Sequence, residues 1–127
     1  MEPAQVNDIA DRLFAAFSGH DYDGARALFA PDARAWTNAT GQENDVDGLL
    51  AVLPLLKQVV GAHSYGDVRR VVGPDGFAEQ HRVTAVRPDG SHLDLGDVAV
   101  VVRLGPDGLI TRLDEYVDTL LARNALS

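Results

Sequence analysis

The chain has no cysteine, which excludes a disulfide framework, a thiolate nucleophile and a thiolate metal site together. Basic residues are scarce too: 11 Lys and Arg against 19 Asp and Glu give a formal net charge of −8. Nucleic-acid affinity rests on clustered cations that displace counterions, and the only adjacent basic pair is Arg69-Arg70. Neither a nucleic acid nor an anionic membrane surface is an expected partner. No apolar run approaches the length of a membrane span, and the acidic start MEPAQVNDIADRLF has no apolar targeting core. These absences predict a soluble, cytoplasmic protein. The histidines His20, His63, His81 and His92 lack metal-ligand spacing, and no glycine-rich loop follows a strand to open a helix. No metal and no cofactor is therefore expected.

What is present reads as one α+β domain over residues 1–127, long enough to bury about two-thirds of its unfolded surface. Val6, Ile9, Ala10, Leu13, Phe14 and Phe17 recur at spacings of three and four, the pattern of an amphipathic helix that Gly19 ends. A shorter helix follows, capped by Asp21, with Ala25, Leu28 and Phe29 on its inner face, and stops before Pro31. The stretch from Ala33 to Asn38 turns extended, and the polar residues 40–45 form a loop. Val46 to Val60 is a third helix, apolar on most sides through Leu49, Leu50, Val52, Leu53, Leu55, Leu56, Val59 and Val60, which predicts deep burial with a bend at Pro54. Beyond Gly61 the periodicity changes to two. Ser64 to Val72, Phe77 to Val86, Leu93 to Leu104 and Leu109 to Val117 are strands bounded by Pro-Asp-Gly turns, an antiparallel meander with the early strand at its edge. Leu120 to Leu126 is a short helical tail.

The run HDYDGARALFAPDARAWTNATG after the first helix, the apolar third helix and the strands ending in DGLITRLDEYVD resemble the nuclear transport factor 2-like superfamily, and within it the SnoaL-like proteins. That group includes polyketide cyclases and neighbours limonene-epoxide hydrolases and ketosteroid isomerases. The resemblance implies three N-terminal helices packed on a strongly curved, mostly antiparallel sheet, a cone-shaped half-barrel of the cystatin-like kind. Its open end forms an apolar cavity for a small molecule, and homodimers pack through the outer sheet face. Phe14 and Phe17 then line the cavity from the helical side. In the ketosteroid isomerase pattern, Asn38 stands in the slot of the base and Leu13 in that of the tyrosine; an amide takes no proton and a leucine stabilises no oxyanion, so that route is excluded. In the epoxide hydrolase pattern, Trp36, Asn38 and Glu115 fill three positions, while the arginine-aspartate pair is missing at its spacing.

Strand alternation selects the polar residues that see such a cavity. In the last strand Leu109, Leu113, Glu115 and Val117 share one face and Ile110, Arg112, Asp114, Tyr116 and Asp118 the other; the more apolar set carries Glu115 inward. In the strand from Phe77, the set Phe77, Glu79, His81, Val83 and Ala85 faces inward. Glu115 and His81 are thus the candidate proton-transfer pair, with Glu79, Trp36, Asn38, Tyr65 and Asp97 as candidate contacts to a ligand. Alternatives stand beside several of these. Glu79 can simply pair with Glu115, Trp36 can be core, Tyr65 can close the mouth or sit on the dimer face, and a bulge after Gly96 can turn Asp97 outward. Two function classes follow: an acid–base enzyme of cyclase, isomerase or hydrolase type acting on a small, oxygenated, mostly apolar molecule, or a non-catalytic module that binds a ligand or dimerises.

Overall fold

The structure is a computed structural model that describes residues 1–61 and 63–126. In α1 (Pro3–Ser18) the proline sits in the first turn, where its missing N–H would have had no helical partner. Val6, Ile9, Ala10, Leu13 and Phe14 form the buried stripe that the spacing predicts. Asp21 caps α2 (Tyr22–Arg26) by accepting from the Gly24 N–H at 2.9 Å. This helix is shorter than expected. Leu28 and Phe29 are buried, but the Leu28 carbonyl already accepts from the Ile110 N–H at 2.8 Å, and Phe29 opens β1 (Phe29–Thr37). Pro31 disfavours a helical Ala30, and a sheet neighbour takes up the backbone groups that a helix would have paired.

After β2 (Gln42–Asn44), the expected third helix divides into α3 (Val46–Leu50) and α4 (Val52–Val59), joined at Ala51. Pro54 therefore bends nothing: it falls in the first turn of α4, among the N–H groups without an intrahelical acceptor. Leu50 and Leu53 are buried, whereas Val52 and Leu55 are exposed, Leu55 at 60%. The deep burial expected of this segment is thus corrected to burial of Val46, Leu50, Leu53 and Val60, with Leu49 and Leu56 only half-buried; the burial expected of Val59 lies outside the described residues.

The strands β3 (His63–Gly73), β4 (Gly76–Val86), β5 (His92–Leu104) and β6 (Ile110–Tyr116) form the antiparallel meander. The six-stranded order is β2-β1-β6-β5-β4-β3, with β1 parallel to β6 and β2 antiparallel on its far side. Two expectations are corrected: β1 is not an edge strand, and residues 40–45 are not only loop. β2 is wholly exposed, so it has no apolar alternation for a periodicity reading to detect. The Asp118 carboxylate caps α5 (Thr119–Leu126), accepting from the N–H groups of Leu120 and Leu121 at 3.1 and 3.0 Å. Leu13, Leu50, Ile110 and Leu113 are almost completely buried in the core, each contributing about 1.5–3 kcal/mol by burial. Among the described residues no helix is long and apolar enough to cross a membrane.

Besides a shift between β1 and β6 at Phe29 and Arg34, three irregularities in register within the meander decide which faces its strands present. Arg103 pairs with Arg112 but Leu104 with Ile110, so Thr111 is an extra residue. Ile110, assigned by alternation to the outer face, is completely buried on the same side as Leu113. Val83 pairs with Gly96 but Thr84 with Asp94, leaving Leu95 extra beside Gly96 at φ +84. Gly66 pairs with Arg82 and Arg69 with Gln80, so Asp67 and Val68 together oppose His81, with Asp67 at φ +53. Without that third bulge Tyr65 and Arg70 would point to opposite faces; with it they share the inner one.

Candidate functional site

β4 alternates as its sequence predicts, with Phe77, Glu79, His81, Val83 and Ala85 buried and the residues between them turned outward. Residues two apart on a strand are neighbours on one face, and Glu79 Oε2 lies 2.7 Å from His81 Nδ1. The other oxygen of Glu79 accepts from Arg70 Nε at 2.6 Å across the β3–β4 register. Arg70 is in turn held from α1: its Nη1 donates to Asn7 Oδ1 at 3.0 Å and lies 2.9 Å from Asp11 Oδ1. A charge buried as deeply as that of Glu79 is tolerable only with such partners.

Aromatic rings surround the histidine. Tyr65 lies 4.6 Å and Phe14 5.0 Å from His81 between ring centroids, and Phe14 meets Tyr65 edge-on at 5.6 Å. Burial, then the charges of Glu115 and Glu79, push the Tyr65 phenol above its ordinary range, so it stays a hydrogen-bond donor.

Glu115 belongs to the same row of the sheet. Arg70 pairs with Glu79, Glu79 with Val100, Val100 with Glu115, and Glu115 with Thr37. Burial raises its carboxyl pKa, opposed by the nearby His81 and by a hydrogen bond with Thr37. The row thus holds two carboxyl groups in contrasting surroundings: Glu79 is fixed between a guanidinium and an imidazole, while the desolvation of Glu115 is only partly offset by His81 and Thr37. A cleft of about 490 Å³ between α1 and β3 is walled by Asp11, Phe14, His63, Tyr65, Arg70 and Glu79; it meets the cluster at Tyr65 and Glu79, while His81 and Glu115 lie behind its walls.

The structure brings His81, Glu79, Glu115, Tyr65 and Phe14 together and leaves other expected residues elsewhere. Trp36 packs on Tyr116 at 5.2 Å, on the face opposite to its neighbour Thr37, and so does not line the interior. The Leu95 bulge turns Asp97 outward, where it lies 3.4 Å from Arg82 Nη1. Asn38 is engaged by main chain: its Nδ2 donates to the Val117 carbonyl at 3.1 Å, and its Oδ1 accepts from the Val117 N–H at 2.8 Å. It clamps the end of β6 two residues from Glu115 rather than facing a ligand. Phe17 is half-buried against the core without the ring contact to His81 that Phe14 makes. Glu79 pairs with Arg70 and His81 rather than with Glu115. Sequence reading missed Arg70, whose inward direction depends on the β3 bulge; the only local signal for it is the Gly66-Asp67 pair, turn residues inside a strand pattern.

A model of the SnoaL-like domain family matches residues 10–113. Among solved structures, a candidate polyketide cyclase from Xanthomonas campestris pv. campestris superposes with a TM-score of 0.78 at 18% identity, covering 98% of each chain. IdmH, a candidate polyketide cyclase from Streptomyces antibioticus, gives 0.78 at 22% identity over 96% of this chain and 98% of that one. PrhC from Penicillium brasilianum gives 0.81 at 12% over 96% and 85%. These likenesses are of fold. No curated protein matches at a significant level.

Proposed function

The chain belongs to the SnoaL-like domain family, and from that premise we propose that it is an acid–base catalyst of cyclase, isomerase or hydrolase type acting on a small, mostly apolar, oxygenated molecule. The observation that carries this reading is the buried His81, bonded through one ring nitrogen to Glu79, with the other nitrogen free of protein partners among the described residues. Such an imidazole can take a proton from substrate. Glu115, whose raised pKa favours its protonated form, returns one, and the Tyr65 hydroxyl donates to an oxygen that gains charge. Phe14 and Tyr65 supply the apolar walls.

Native mass spectrometry of the undenatured protein is expected to retain a small molecule of this kind. In turnover of that molecule, His81→Ala and Glu115→Gln should each lower kcat by roughly 10²- to 10⁴-fold. Unchanged turnover in either variant removes the acid–base reading, and a retained molecule that is never converted leaves a binding module instead.

A second reading concerns assembly, and the outer sheet face supports it. Val71, Val101 and Tyr116 are exposed there, and a groove of about 670 Å³ is lined by Asp67, Arg69, Arg82, Asp97 and Asp118. Acidic and basic groups alternating on one face suit a two-fold homodimer, in which each sign meets the other. Sedimentation analysis should find a dimer that Val101→Lys weakens; a wild-type monomer at all concentrations rejects this reading.

A further inference from the structure

We propose that Arg70 is a positioning residue that selects the tautomer of His81, acting through Glu79. The argument begins with donor and acceptor counts. Arginine has five N–H donors, no acceptor, and keeps its charge at every relevant pH. Its Nε faces Glu79 Oε1 at 2.6 Å, so that oxygen must accept. Protonating Glu79 would remove the opposite charge that faces the guanidinium and weaken this bond, and Arg70 therefore favours the carboxylate form. An ionised carboxylate can only accept, so the 2.7 Å contact of Oε2 with His81 Nδ1 requires the hydrogen to sit on Nδ1. In the neutral ring Nε2 then carries the lone pair. This is the nitrogen left free of protein partners, and the inference rests on the reading of His81 as the base.

The support for Arg70 comes from two elements. The bulge at Asp67 and Val68 turns it inward, and Asn7 and Asp11 of α1 bind its guanidinium from the other side. The proton position on a β4 histidine is thus tied to the seating of α1, the helix whose Phe14 packs on the same ring.

Glutamine at position 79 makes the idea testable at single-atom level. An amide offers one accepting oxygen and one donating nitrogen. Arg70 claims the oxygen, so the NH₂ group must face His81 Nδ1 and donate to it. The ring is then forced into the opposite tautomer, with the hydrogen on Nε2, and the base is lost although its shape and neighbours are kept. In Glu79→Gln with Arg70→Met the amide is free to rotate and the constraint disappears; no uncompensated buried charge is left in that double variant, since Asp11, the other partner of Arg70, is exposed. Glu79→Gln with Arg70→Lys keeps a donor that has no acceptor capacity, and the constraint persists.

The experiment is two-bond ¹H–¹⁵N correlation of the imidazoles in uniformly ¹⁵N-labelled full-length protein, at a pH where His81 is neutral, with the His81 signals assigned by their loss in His81→Gln. Nδ1–H in the native protein, Nε2–H in Glu79→Gln, restored Nδ1–H population in the Arg70→Met double variant and none in the Arg70→Lys double variant support the proposal. Nε2–H in the native protein overturns it without any substitution, and so does the same tautomer in all three variants. Because the tautomer is read without turnover, a protein with the expected tautomers that converts no substrate loses only the catalytic reading. Reversed tautomers in an active enzyme lose only the role of Arg70.

Discussion

His81 and His63 are buried to nearly the same depth, at 4% and 9% exposure, yet their surroundings are opposite in kind. His81 has a carboxylate on Nδ1, and an arginine holds that carboxylate. His63 meets His20 edge-on at 5.0 Å, and Nε2 of both rings has no hydrogen-bond partner among the described residues. Burial and then the His20 charge depress the pKa of His63 to about 4; burial and then Lys57 lower that of His20. Depth alone therefore does not mark a histidine for chemistry. The difference lies in the partner: one site fixes where a proton goes, whereas the other only disfavours charge.

The largest expected effect separates the two sites directly. Arg70→Met leaves the Glu79 charge buried without its guanidinium and should cost about 3–5 kcal/mol in urea unfolding at neutral pH. His63→Leu removes a polar atom that has no partner and should change stability by less than about 1 kcal/mol. Equal losses would break the comparison.

The pH dependence should come next. His63 binds a proton at 6.5 when unfolded and at about 4 when folded, so its contribution to stability is complete above 6.5 and is lost as the pH falls toward 4. The loss amounts to at most about 3 kcal/mol. Denaturation midpoints between those pH values should fall in the native protein and flatten in His63→Leu; a slope that survives the substitution assigns it to other groups.

Glu115 runs the other way. Its folded pKa lies above 4.5, chiefly through burial, so its contribution is complete below 4.5 and is lost as the pH rises through the folded value. Glu115→Gln should thus raise stability at pH 8 by roughly 0.5–2 kcal/mol while lowering turnover, as expected where a functional group is held at a cost to the fold. A destabilised variant would mean that its charge is compensated.

Trp36→Ala should have the smallest effect on turnover. Losing the ring contact with Tyr116 should cost about 0.5–1.5 kcal/mol beyond the lost area and leave turnover unchanged, since Trp36 lies on the outer face. A large fall in kcat would return Trp36 to the site.

Legibility followed locality. The inward set of β4 could be read from alternation alone, and it carried Glu79 and His81 correctly, as did the stripe of α1 with Phe14 and the inward face of Glu115. What escaped was whatever a bulge or a distant neighbour decides. Ile110 was misassigned because Thr111 is an extra residue, and Asp97 kept two placements until Leu95 proved to be another. β2 has no apolar pattern to read, and a proline inside an apolar helical run reads as a bend because the break at Ala51, just before it, leaves little local signal.

Readable in the amino-acid sequence were the α+β order, the Pro-Asp-Gly turns, the cap at Asp21, and a pair of acidic and imidazole side chains on one strand face. Each of these is written in residues close together, where steric preference and period are strong enough to act alone. The tertiary structure decided that β1 pairs in parallel with β6, and that Arg70, Glu79, Val100, Glu115 and Thr37 form one row. It also turned Arg70 rather than Arg69 toward the interior. A bulge costs little locally and reverses every side chain beyond it, so the face of a strand is fixed only by what it packs and pairs with.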